Sequence, residues 1–141
     1  MYSRILVAVD GSEHSLKAAQ TAAELARLLH ARELRLVHAY DPIPSFLGEP
    51  NLQAAINARL DEAQQVIQKA LQVIGELPEG VLRTEILEGP AAEAILRVAE
   101  THQSELIVMG SRGLGRFTGL LLGSHSQRVV QHATCPVLIV R

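Results

Sequence analysis

"VMGSRGLGRFTGLLLGSHSQRVV", residues 108–130, decides how the rest of the chain is read. It holds Gly110, Gly113, Gly115, Gly119 and Gly123, half of the ten glycines in the chain. The run "ELIVMG" (105–110) before these glycines is apolar and of the length of a buried strand, and Ser124 after them opens a helical pattern. Glycine admits positive φ and lets another molecule approach the main chain closely. Successive N–H groups in such a loop form an anion-binding concavity, and the first turn of the helix adds free N–H groups and the positive end of a dipole. Arg112 and Arg116 add positive charge. The combination suits the phosphate tail of a nucleotide, whereas five glycines in fourteen residues would weaken a loop that held nothing.

Working outward, strands and helices alternate. "SRILVAVD" (3–10) is a β-branched apolar run ending at Asp-Gly, as a buried strand would. Ser12 is the expected N-cap of a helix with Leu16, Ala19, Ala23, Ala26 and Leu29 along one face. "ELRLVHAY" (33–40) is the second strand. "DPIPSFLGEP" (41–50) carries three prolines and is a long irregular connection, placed where a binding loop could sit. Residues 52–74 form the longest helix, with Leu52, Ala55, Ile56, Ala63, Ile67, Ala70, Leu71 and Ile74 on one face, and the charged residues of 57–69 read as its solvated side. "VLRTEIL" (81–87) alternates like a partly covered strand. Pro90 is expected at the first position of a helix whose Ala91, Ile95, Val98 and Ala99 face inward. "PVLIV" (136–140) closes the chain's fifth strand. The order β-α-β-α-β-α-β-α-β implies a mostly parallel, doubly wound sheet with helices on both faces. Ligands of such sheets lie beyond the carboxyl ends of the strands, where the strand order reverses. The ends of strands one and four, Asp10-Gly11-Ser12 and Met109-Gly110-Ser111, stand out chemically.

Length and composition bound the alternatives. A chain of 141 residues suits one domain, 1–141. With 48% hydrophobic and only 3% aromatic residues, the core is aliphatic. The net charge of -2 carries no footprint for nucleic acid or an anionic membrane. Cys135 stands alone, which excludes an internal disulfide and points to a cytoplasmic setting. The N-terminus does not read as a signal peptide, and no apolar stretch approaches the length of a membrane span.

Familiar phosphate motifs do not fit. There is no Gly-Lys pair for a Walker loop. A dinucleotide fingerprint would follow the first strand, and Thr118 stands where its third glycine is needed. The spacing that is present, Gly110-x2-Gly113-x9-Gly123-Ser124, resembles the ATP-binding branch of the universal stress protein family at every fixed position. "ILVAVDGSEHS", "VHAYDP", "ILEGPAAEAIL", "ELIVMGSRG" and "SQRVVQHATCPVLIV" resemble further family segments over nearly the whole chain. The resemblance implies a single-domain, five-stranded parallel sheet of order 3-2-1-4-5, of the adenine-nucleotide alpha-hydrolase-like kind. It implies ATP in the crevice between strands one and four. Ala8, Val9 and Asp10 would flank the adenosine, and Ala39 would touch the adenine. Met109, Gly110, Arg112 and Gly113 would line the ribose and phosphates. Gly123, Ser124, His125 and Ser126 would hold the phosphate tail. Mg²⁺ or Mn²⁺ would accompany the triphosphate. It also implies a homodimer through strand 136–140, whose apolar edge invites pairing with another chain.

Structural readings stand beside these. Asp10-Gly11 could be an ordinary turn. Ser124 and Gln127 match a capping box, and Ser126 could be a polar first-turn residue. His38 fits either the core or the crevice, the core being the commoner place. His125 and His132 are about two helical turns apart, too far to share an ion. Cys135 reads as a buried, inert thiol. For function, a nucleotide-dependent regulatory switch acting on an unnamed protein partner is the first expectation. A slow ATP hydrolase or phosphotransferase is the alternative, with His125 the local candidate to orient water. A flavin- or adenylate-type domain is a third, by fold analogy alone.

Overall fold

A computed structural model describes residues 1–43, 46, 48–112 and 122–141. Gly113, Gly115, Arg116 and Gly119 of the glycine-rich stretch therefore lie outside the described residues, as do Pro44, Ser45 and Leu47 of the proline-rich connection. The elements are β1 (Arg4–Ala8), α1 (Glu13–Leu28), β2 (Glu33–Tyr40), α2 (Asn51–Ile74), β3 (Leu82–Glu88), α3 (Ala91–Thr101), β4 (Leu106–Gly110), α4 (Ser124–His132) and β5 (Val137–Val140).

The five strands form one sheet in the order β3-β2-β1-β4-β5, and every neighbouring pair is parallel. The chain leaves β1 toward β2 on one side and, after β3, returns to β4 on the other. The strand order therefore reverses between β1 and β4, whose register pairs Val7 with Val108.

Because successive side chains of a strand point to opposite faces, the sheet feeds two cores. Ile5, Val7, Val9, Leu34, Leu36 and Val108 pack with the alanines of α1 and with Ile67, Ala70 and Ile74 of α2. Leu6, Ala8, Val37, Ile107 and Met109 pack with Ala92, Ile95 and Ala99 of α3 and Val129 of α4. With almost no aromatic residues available, alanine on α1 does the work of close packing: Ala18, Ala19, Ala22 and Ala23 are fully buried. The expected apolar face of α1 holds except at its end, where Leu29 is the C-cap residue and is exposed.

Local signals behave as their chemistry dictates. The Ser12 side chain accepts the Ser15 N–H as the N-cap of α1. Pro90 sits one position earlier than expected, at the N-cap of α3, and the helix begins at Ala91. The last helix begins at Ser124 as expected, but its N-cap is Gly123, so no Ser124–Gln127 capping box forms. At the other end of the molecule, the Arg27 guanidinium donates to the carbonyls of Ile74 and Glu76, tying the end of α2 to α1.

Gly110, the last residue of β4, has a packing requirement of its own. A Cβ there would lie 2.7 Å from the His14 carbonyl carbon and 2.8 Å from the Ser15 nitrogen. The first turn of α1 presses directly on it, so the absent side chain serves helix–strand packing before it serves any ligand. Gly110→Ala should lower unfolding free energy by about 1–3 kcal/mol, the usual cost of overpacking against backbone, read as a reduced midpoint in urea.

Candidate functional site

The carboxyl ends of β1, β2 and β4 open into one cavity of about 490 Å³, within the range of about 300–1,000 Å³ typical of small-molecule sites. Ala8, Val9 and Asp10 line it from β1 and the turn after it, Ala39 from β2, and Met109, Gly110 and Arg112 from β4 and its exit. Gly123, Ser124, His125 and Ser126 line it from the start of α4. Every residue expected at the site except Gly113, which is outside the described residues, therefore borders the same space.

The turn after β1 is built by its own polar atoms. The Asp10 carboxylate accepts from the Ser12 N–H at 2.9 Å and from the Ser12 hydroxyl, while the Asp10 N–H donates to Ser15 Oγ at 3.2 Å. Gly11 between them has φ +90°, a conformation glycine adopts without strain. The turn reading of Asp10-Gly11 is thus correct, and the same turn presents Asp10 to the cavity.

The exit from β4 is pinned at both ends. The Ser111 N–H donates to the Val140 carbonyl at 2.8 Å, and the Gly123 N–H donates to the Ser111 carbonyl at 2.7 Å. The chain that leaves at Ser111 is therefore drawn back to the same residue at Gly123. The buried Ser126 hydroxyl donates to the Gly110 carbonyl at 2.7 Å, fixing the first turn of α4 over the strand end. Ser126 is thus a structural tie that also borders the cavity. Ser111 Oγ, buried as well, meets His14 Nδ1 at 2.8 Å.

The two helix starts here differ. The side chain of Ser12 engages the first turn of α1, whereas α4 has a glycine N-cap and no side-chain cap. An α-helix leaves its first N–H groups without intrahelical partners. Those at Ser124, His125 and Ser126 have no partner among the described residues and lie at the positive end of the helix dipole.

Of the two places weighed for His38 the structure takes the crevice, and sequence periodicity missed other wall residues altogether. His38 is half-buried and lines the cavity rather than the core, with Nδ1 2.8 Å from the Val9 carbonyl. A carbonyl only accepts, so Nδ1 is the donor of this bond. Arg59 and Glu62 of α2 also line the cavity, although their stretch of helix reads as a solvated face. Ala63 and Val66 complete the α2 wall, and Ala91 and Ile95 of α3 supply apolar surface on the other side. The signal for Arg59 was present: it lies four residues before Ala63, on the apolar row.

This arrangement has solved counterparts. The family model described as "Universal stress protein family" matches residues 1–141. The chain belongs to the universal stress protein family. A universal stress protein of Thermus aquaticus is 46% identical over 141 residues, covering all of both chains. Universal stress protein UspA from Lactobacillus plantarum superposes with a TM-score of 0.86 at 28% identity, over 99% of this chain and 98% of that one. A universal stress protein solved in complex with cAMP superposes with a TM-score of 0.67 at 29% identity, over 99% of this chain and 97% of that one. The fold is the parallel α/β sheet of these proteins, and nucleotide binding occurs among them.

Outside the cavity, burial pushes the Cys135 thiol above its ordinary value. It is half-buried rather than buried as expected, and the raised thiol stays protonated at neutral pH. Among the described residues no group of three or more His, Cys, Asp or Glu is placed to hold a metal ion. No helix among them is long and apolar enough to cross a membrane.

Proposed function

We propose that this universal stress protein binds ATP in the β1/β4 crevice and acts as a nucleotide-dependent regulatory switch. The observation that carries the reading is the uncapped start of α4 at Gly123, held against β4 and facing a nucleotide-sized cavity. Met109, Gly110, Arg112 and Gly113 take the ribose and inner phosphates, and the amides of Ser124, His125 and Ser126 take the phosphate tail. Ala8, Val9, Asp10 and Ala39 take the adenosine. Binding of cAMP by a structural relative supports an adenine nucleotide as the class.

The residues present fit a metal–nucleotide better than a metal alone. With no protein cage among the described residues, Mg²⁺ or Mn²⁺ would be carried by the phosphate oxygens, where it would neutralise their charge. Ligand bound only to the folded state stabilises it by about 2.7 kcal/mol at a hundredfold excess over Kd. Occupancy alone can therefore change the molecule's stability and the surface around 110–126. Fast hydrolysis is not part of the proposal. His125 borders the cavity but no described side chain hydrogen-bonds it into a water-orienting position. The cytoplasmic setting rests on the single unpaired cysteine.

We also propose a homodimer through β5. Among the described residues that strand ends the sheet and pairs only with β4, and it carries Leu138 at 37% exposure. An open edge of this kind offers its main-chain N–H and C=O groups to a second copy across a two-fold axis.

Two measurements test these readings. In calorimetric titration with Mg-ATP, Gly123→Val should bind at least tenfold more weakly than the native protein. The variant should keep its fold, because Gly123 at φ -67° and ψ 162° is in a region open to any residue. Equal affinity would remove α4 from the site. In light scattering, the native chain should have the mass of a dimer and Leu138→Lys that of a monomer. A monomeric native chain would refute the edge pairing.

A further inference from the structure

Arg59 is out of place by the logic of its helix. The buried row of α2 runs through Ala63, Ile67, Ala70 and Ile74, and Arg59 holds the next position toward the N-terminus. There α2 has passed the end of the sheet and faces the cavity instead of the core. Arg59 is half-buried and makes no hydrogen bond or ion pair with any described residue. Glu62, one turn along on the same wall, is a natural (i, i+3) partner, yet the two form no ion pair. A partly desolvated guanidinium without a counter-charge is unfavourable unless something else meets it.

The fold says which part of a ligand that would be. α2 lies with α1 on one face of the sheet, and α4 with α3 on the other. Arg59 therefore views the cavity from the wall opposite the start of α4, on the side of His38, Ala39 and Tyr40 at the end of β2. This is the end away from the phosphate-binding amides. A flat, uncharged, electron-rich ring system answers an unpaired guanidinium there, because the planar group is weakly hydrated and stacks on π faces.

We propose that Arg59 closes the base end of the site by stacking its guanidinium on the adenine ring. The inference rests on ATP occupying this crevice and adds a contact from α2 to it. The α2 wall then contributes base affinity, while α4 contributes phosphate affinity, and the two are separable by ligand truncation.

The test compares Mg-ATP, AMP and adenosine binding to native protein, Arg59→Ala, Arg59→Gln and Arg59→Lys. Thermal melts check the fold, and Arg59→Gln keeps much of the aliphatic stem. Arg59→Ala and Arg59→Gln should weaken all three ligands by the same factor, about three- to tenfold for a stacked cation. Arg59→Lys should restore only part of the loss. A loss that grows with the number of phosphates would overturn the proposal by making Arg59 a phosphate contact. Native protein that binds ATP with no change in either Arg59→Ala or Arg59→Gln would overturn it and leave the site reading intact. Native protein that binds none of the three ligands would remove the site reading itself, and this proposal with it.

Discussion

The carboxyl end of β4 is held by three short contacts, and the candidate site depends on all of them. The Ser126 hydroxyl reaches the Gly110 carbonyl, the Gly123 N–H reaches the Ser111 carbonyl, and the first turn of α1 packs on the bare α-carbon of Gly110. The first two hold the start of α4 at one place and the third holds α1 beside it. Without them, the amides of α4 would still carry their partial charge, but nothing would aim them at the cavity. Preorganised donors lose less on binding than donors that must first be ordered. On the proposed reading, the clasp serves affinity as well as fold.

The same contacts explain why this fold accepts so small and aliphatic a core. β1 and β4 are the central pair, buried on both faces, and their ends are where the chain changes direction across the sheet. Buried backbone groups there need partners. Ser12, Ser15 and Ser126 help to supply them with short side chains that add little bulk. Ser15 and Ser126 border the cavity, while Ser12 and Ser111 brace the turns beside it.

Much of this was legible in the sequence, and the gaps have physical causes. β2 runs from Glu33 to Tyr40 with the bounds read from the sequence, and Ser12 caps α1 as its position before the apolar row requires. The strand order was not readable from periodicity, which says nothing about lateral pairing, and came from the family resemblance. Helical patterning assigns charged residues to solvent, and this hid Arg59, because a helix longer than the sheet it covers exposes its inner face beyond the sheet's end. His38 was misread toward the core for a related reason: at the end of a strand, the same face borders the crevice. Serine at Ser126 and glycine at Gly110 were read for ligand contact. Their tighter duties, a hydroxyl on a strand carbonyl and a gap for a helix turn, involve partners distant in sequence.

The account stands on the main-chain amides at the start of α4 gripping an anionic tail. The direct measurement is an amide NMR titration with Mg-ATP and, separately, with adenosine. Mg-ATP should move the amide signals of Ser124, His125 and Ser126 strongly, adenosine should leave them nearly still, and both should move residues at the ends of β1 and β2. Signals at 124–126 that ignore ATP, or that respond equally to adenosine, would contradict the account.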